Sequence, residues 1–136
     1  MSGPVWYLDT SATAKLVRPE AETAQLRRWL RSRSWLTSDL QRTELRRAAA
    51  RAGGRAPARA DRILTEIDLI AVTPDVFDAA GRLSLASLRS LDAIHLAAAL
   101  TLGPDLAGIV AYDDRLTESA EALGLAVKAP GRTRGR

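Results

Sequence analysis

The chain has 136 residues, 46 % of them hydrophobic, and no cysteine. That is enough for one domain with its own core and too little for two, and it excludes disulfide frameworks and thiolate metal sites. The formal charge is +4, from 20 basic and 16 acidic residues, and every basic residue except Lys15 and Lys128 is arginine. Guanidinium forks suit phosphate, although a GC-rich genome would produce the same bias. No run approaches the roughly 18 apolar residues of a membrane span, and Met1–Asp9 has no basic stretch followed by an apolar one, so neither a span nor a secretory signal is expected. The expected setting is the cytoplasm.

In chain order, Val5-Trp6-Tyr7-Leu8 is a short apolar run stopping at Asp9 and reads as a buried strand. Thr10 and Ser11 offer capping oxygens for a helix over 12–17, and Pro19-Glu20 opens a second helix to about Arg33. Trp35-Leu36-Thr37 reads as a strand. Ser38 and Gln41 have capping-box spacing for a helix to about Ala52, which Gly53-Gly54 ends. A helix is expected over 56–66, a strand over 67–72, and a helix from Pro74 to about Ser84. Ser90 is expected to cap an apolar, buried helix over 91–102, closed by Gly103-Pro104. Strand 108–112 stops at Asp113-Asp114; a helix over 116–123 and a last strand over 125–127 follow. Alternating strands and helices predict an α/β fold with a mostly parallel sheet covered on both faces. Residues 1–128 read as one domain and 129–136 as a basic tail expected to be disordered.

Open parallel sheets bind ligands beyond the carboxyl ends of their strands, and two strands here end in Asp: Asp9, and Asp113 with Asp114. Two further acids interrupt apolar helix faces. Glu44 shares a face with Leu40 and Ala48, and Asp92 lies in the first turn of the apolar helix beside His95, Leu96 and Ala99. A carboxylate at a helix start is favourable by about 0.3–1 kcal/mol, which explains Asp92 on structural grounds but leaves mid-helix Glu44 unexplained. Clustered carboxylates repel one another, and a divalent cation between them removes that cost; Mg²⁺ and Mn²⁺ take such oxygens. Asp9, Glu44, Asp92 and Asp113 therefore read as one metal-binding constellation, able to support phosphodiester cleavage.

Other chemistries lack their residues. A single histidine rules out a two-histidine ribonuclease, and no nucleophile elbow, phosphate-binding Gly-rich loop or dinucleotide fingerprint is present. His95, on a helix dense in Leu and Ala, reads as a packed core residue. Arg42, Arg46, Arg47, Arg51, Arg55, Arg59 and Arg62 crowd the helices around Glu44, either as a rim that holds RNA or as a solvated face. Arg46, Arg47, Arg51, Arg89 and Arg115 are the candidate substrate-binding cations.

Four segments resemble the motifs of PIN domains, and in family order: Tyr7-Leu8-Asp9-Thr10-Ser11-Ala12; Leu36-Thr37-Ser38 with Thr43-Glu44-Leu45-Arg46-Arg47-Ala48; residues 88–99 around Ser90-Leu91-Asp92-Ala93-Ile94-His95; and Ala111-Tyr112-Asp113-Asp114-Arg115-Leu116. In length and lack of extra domains the chain is similar to the VapC-type toxins of that family. The resemblance implies a three-layer α/β/α fold on a five-stranded parallel sheet and RNA cleavage dependent on Mg²⁺ or Mn²⁺. It implies that Asp9, Glu44, Asp92 and Asp113 gather the metal and that the Ser11 or Thr10 hydroxyl supports it, with Asp114, adjacent to Asp113, able to substitute for that residue or join it. Ala111 stands where the fourth motif usually has Thr, which removes one hydroxyl near the metal. It also implies a homodimer neutralised by a VapB-like antitoxin. The competing reading is a module with the same fold that binds RNA or protein without cleaving it. An aspartyl phosphotransferase using Asp9 would want a second Asp where Ser11 stands.

Overall fold

The computed structural model describes residues 4–85 and 87–133. Its strands β1 (Val5–Leu8), β2 (Ser34–Ser38), β3 (Leu69–Ile70), β4 (Leu106–Val110) and β5 (Val127–Lys128) form one sheet in the order β3-β2-β1-β4-β5. Every pairing is parallel. The chain steps outward from β1 to β2 and β3, then returns to the other side of β1 for β4 and β5. The gap between β1 and β4 is thus the topological switch point, where an open parallel sheet leaves a crevice past its carboxyl edge. Helices cover both faces: α1 (Thr10–Val17), α2 (Thr23–Arg31), α3 (Gln41–Ala52), α4 (Ala56–Glu66), α5 (Pro74–Gly81), α6 (Ser90–Leu100) and α7 (Asp114–Ala122). This is the three-layer α/β/α arrangement that the alternating pattern predicts.

Neighbouring residues of a strand point to opposite faces, and the two cores follow that rule. Tyr7 and Ile109 pack with Val76 and Ala80 of α5, Leu96 and Ala97 of α6 and Leu116 of α7. Leu8 and Val110 pack on the other face with Ala12, Leu26 and Leu30, ringed by Trp6, Trp29 and Trp35. Trp6 and Trp29 meet edge to face with ring centres 5.0 Å apart. A third cluster, with Val17, Leu45, Ala49, Ala60 and Leu64, ties α1, α3 and α4 together.

Several local expectations are corrected. Asp9, not Thr10 or Ser11, caps α1, because those two hydroxyls are spent on Glu44 and on Asp9 itself. Ser38 and Gln41 form no capping box; α3 begins without a side-chain cap, and Gln41 is buried among Thr10, Thr13 and Thr37. Helix α2 starts at Thr23 rather than Pro19, since the Thr23 hydroxyl accepts from Glu20 N and donates to the Lys15 carbonyl, holding 19–22 as a turn. Ser90 is the first residue of α6 and gives no cap bond, and that helix is not apolar-buried all round, because Leu91 and Leu100 are exposed. Strand β3 is only two residues long. Residues 129–133 of the segment expected to be a loose tail lie against the body: the Tyr112 hydroxyl donates to the Pro130 carbonyl at 2.7 Å, and Arg132 binds the Tyr112 carbonyl and the Asp114 carboxylate. Residues 134–136 lie outside those described.

Gly108 faces Trp6 in the β1–β4 register. A methyl group there would sit 2.7 Å from the Trp6 ring and 2.5 Å from the Ala126 carbonyl oxygen. The indole thus fills the room that a side chain would take, and β5 closes the other side. Gly108→Ala is expected to destabilise the fold by about 1–3 kcal/mol, the usual cost of overpacking. Urea denaturation checks this; an unchanged midpoint would mean that β4 and β5 part without cost.

Candidate active site

The site begins where β1 and β4 end. Asp9 follows β1 and caps α1, its Oδ1 accepting from the Ala12 amide at 3.0 Å and from the Ser11 hydroxyl at 2.6 Å. Ser11 Oγ in turn accepts from the Tyr112 amide at 2.8 Å, so one hydroxyl stitches the end of β1 to the residues just beyond β4. Asp113 caps α7 in the same manner, its Oδ1 accepting from the Arg115 and Leu116 amides. Both acids therefore have an ordinary structural role at a helix start. That role uses one carboxylate oxygen in each.

Glu44 and Asp92 arrive from the helices. Together with Asp9 and Asp113 they line a single cavity of about 380 Å³, which Thr10, Ser11, Arg89 and His95 also line. Glu44 Oε1 accepts from the Thr10 hydroxyl at 2.6 Å, and His95 Nε2 lies 2.6 Å from the same oxygen. Asp9 Oδ2 and Glu44 Oε2 accept no hydrogen bond among the described residues. Asp92 Oδ2 accepts from Arg89 Nε at 2.9 Å, and Asp113 Oδ2 accepts from Arg89 Nη2 at 3.1 Å. Arg89 thus spans two acids of the cavity. As arranged, no three of the described carboxylate or imidazole groups close on one point as a metal cage would.

The acids are unequal. Asp9 is buried, and the loss of water pushes its carboxyl up to about 6, against the pull of the Ser11 hydrogen bond. Burial acts to raise Glu44 as well, but the hydrogen bonds from His95 and Thr10 hold it below its ordinary value. At Asp113 the same burial is outweighed by the Leu116 amide, Arg89 and the Arg115 amide, so its carboxyl also lies low. Asp114 points elsewhere: its side chain is 75 % exposed and pairs with Arg132 at 2.7 Å, whereas Asp113 lines the cavity.

Of the candidate cations, Arg89 is on the cavity wall. Arg115 borders an adjoining pocket that shares Asp92. Arg46 pairs with Asp61 of α4, while Arg47 and Arg51 are exposed on α3 and line no part of the acidic cavity. Sequence reasoning read one cavity-lining residue, His95, as core packing alone. His95 is buried, as a core residue would be, yet its two ring nitrogens are engaged by Tyr7 and by Glu44. The only sequence signal was its position one turn after Asp92 on the same face, which an apolar helix masks.

The chain belongs to the PIN-domain family, whose match covers residues 6–122. Within that family it is similar to Ribonuclease VapC46 of Mycobacterium tuberculosis, at 46 % identity over 91 % of this chain and 96 % of that protein. Ribonuclease VapC35 of the same species is 42 % identical over 94 % of this chain and 98 % of its own length. Ribonuclease VapC47 of that species is 41 % identical with the same coverage. The crystal structure of Mycobacterium tuberculosis VapC20, a sarcin-ricin loop cleaving toxin, superposes with a TM-score of 0.69 over 89 % of this chain and 96 % of that one, at 23 % identity. That last likeness is one of fold.

Asp9 supplies a test of linkage. Its folded value of about 6 lies above the ordinary 3.8, so the folded state holds the proton more tightly. The resulting stability is fully present below the unfolded value and is lost as pH rises through about 6. Asp9→Asn keeps an acceptor for the cap and removes the buried charge. It is therefore expected to melt higher than the parent at pH 7.5, on the order of 5 °C, with the gap closing at pH 4. Thermal melts at the two pH values measure this. A variant that melts lower at pH 7.5 would show the charge to be net stabilising.

Proposed function

We propose that this chain is a metal-dependent endoribonuclease, the toxin of a toxin–antitoxin pair. The observation that carries the reading is the convergence of Asp9, Glu44, Asp92 and Asp113, from four separate elements, on one cavity at the switch point of the sheet. Three relatives 41–46 % identical over nearly their whole length bear the name ribonuclease.

The donor set fits a hard divalent cation. It offers carboxylate oxygens and no thiolate, as Mg²⁺ or Mn²⁺ prefers. Asp9, Asp92, Asp113 and Glu44 would hold it, with Ser11 fixing the Asp9 carboxylate from behind. Held there, such an ion would supply Lewis acidity toward the scissile phosphate and the attacking water. The chain's own groups do the rest. Asp9 Oδ2 and Glu44 Oε2, two of the carboxylate oxygens not committed to donors among the described residues, orient that water and accept its hydrogens. Arg89, half exposed and already at the acids, swings onto the phosphate backbone as the carboxylates close. Arg115, beside Asp92, meets the next stretch of the strand. Arg46, Arg47 and Arg51 on α3 add longer-range attraction for RNA. Asp114, held by Arg132, stays out of the ligand set. The proposed partners are a VapB-like antitoxin that blocks the cleft and a second copy of the chain, in the cytoplasm. Among the described residues no helix is long and apolar enough to cross a membrane.

Purified protein incubated with a labelled RNA pool is expected to cleave it with Mg²⁺ or Mn²⁺ and to stop when chelator is added. Asp92→Asn should slow cleavage at least about 100-fold, a loss of nearly 3 kcal/mol of transition-state stabilisation. Full activity in chelator, or in Asp92→Asn, sinks the reading.

A further inference from the structure

We infer that His95, braced by Tyr7, is a positioning residue that aims the Glu44 carboxylate into the cavity. The inference rests on the proposal that Glu44 belongs to the catalytic acids.

Glu44 is a long side chain on a helix, with three rotatable bonds before its carboxylate. Two buried struts fix it. In the first, Thr37 donates to the Leu8 carbonyl at 2.6 Å, and the Gln41 amide donates to Thr37 at 3.1 Å and to Thr10 at 3.2 Å. Thr10 Oγ1 therefore has an incoming proton, and its own goes to Glu44 Oε1 at 2.6 Å. In the second, the Tyr7 hydroxyl lies 2.8 Å from Ser38 Oγ and 2.7 Å from His95 Nδ1. The far side of the imidazole, Nε2, lies 2.6 Å from Glu44 Oε1. A carboxylate oxygen can only accept, so Nε2 carries the hydrogen, Nδ1 accepts from the Tyr7 hydroxyl, and Tyr7 in turn accepts from the Ser38 hydroxyl.

Both struts land on Oε1 and none on Oε2. The carboxylate is thereby turned with one oxygen to the protein and one to the cavity. The anchors are stiff: Tyr7 and Ser38 have no exposed surface and sit on the central strands, and His95 is 3 % exposed. Tyr7 also packs edge to face on the imidazole, ring centres 5.7 Å apart, which blocks ring rotation. Any buried imidazole needs partners for its nitrogens; what ties this one to the site is that one of them is the cavity carboxylate of Glu44. Groups that orient catalytic or ligating carboxylates from behind matter at about the 10–100-fold level, because small misplacements at a reacting centre are costly.

The chain has one histidine, so its ring signals are unambiguous by NMR. A protected Hε2 resonance is expected in the parent protein, shifting on Mg²⁺ addition and lost to exchange in Glu44→Ala. In Mn²⁺-supported cleavage, His95→Leu should lower kcat about 10–100-fold with KM within about twofold, and weaken Mn²⁺ binding by calorimetry about tenfold. His95→Gln, whose amide reaches Glu44, should recover most of the loss. Tyr7→Phe, which keeps the ring and deletes the brace, should fall between the two. Parent-like kcat and Mn²⁺ affinity in folded His95→Leu would overturn the inference. If His95→Leu does not fold, the same result in Tyr7→Phe overturns it. If the parent cleaves no RNA, the nuclease reading fails by itself. The ring spectrum then decides the strut: a protected Hε2 that needs Glu44 upholds it, and a freely exchanging one overturns it.

Discussion

Like charges do not gather willingly, and the carboxyl edge of this sheet is organised around that repulsion. Four carboxylates share one cavity, one of them nearly sealed from water, and an uncompensated buried carboxylate costs several kcal/mol. The chain meets the cost locally. Asp9 and Asp113 each hold the start of a helix with one oxygen, so backbone amides offset part of the charge. Glu44 is met by a hydroxyl and an imidazole, and Asp92 by a guanidinium. The compensation falls on one oxygen in each case but Asp113, where the helix amides take one oxygen and Arg89 the other. That asymmetry is what separates a cluster of acids that can work on a ligand from a set of saturated surface ion pairs.

The same constraint explains the connectivity around β1 and β4. Only at the switch point do two adjacent parallel strands send their following helices to opposite sides, so that two helix starts face one crevice. Ser11 joins the two strand ends through the Tyr112 amide and the Asp9 carboxylate. The C-terminal segment joins in from beyond: Arg132 holds Asp114 and the Tyr112 carbonyl, and the Tyr112 ring lies over the ammonium of Lys15, which Glu20 and Glu22 grip. Asp113 and Asp114, adjacent in sequence, are thereby sent in different directions.

Much of this was legible in the sequence, because apolar runs that stop at Asp9 and Asp113 mark both the strands and their chemistry. Glu44 stood out as a charge on an apolar face. The remainder was hidden for a physical reason. Hydroxyls and amides have more than one use, and sequence spacing counts only the local one. Ser38 at capping-box distance from Gln41 instead meets Tyr7, 31 residues away. His95 finds Glu44 across 51 residues and Tyr7 across 88. Arginine density on α3 and α4 does not mark the cavity wall: Arg46 pairs with Asp61, while Arg89, isolated in sequence, reaches the acids. Short β3 was overestimated because an edge strand needs pairing on one side only.

The three tryptophans have a consequence for anyone who follows this molecule by light. Trp6, Trp29 and Trp35 belong to the layer built on Leu8 and Val110, and the opposite layer, around Tyr7, Leu96 and Ile109, has none. Tryptophan emission is therefore a one-sided gauge. It reports the seating of α2 on the sheet and is blind to a loosening of α5 and α6, the side on which His95 stands. Separate melting of the two layers would leave the fluorescence trace and the far-ultraviolet circular dichroism trace out of step.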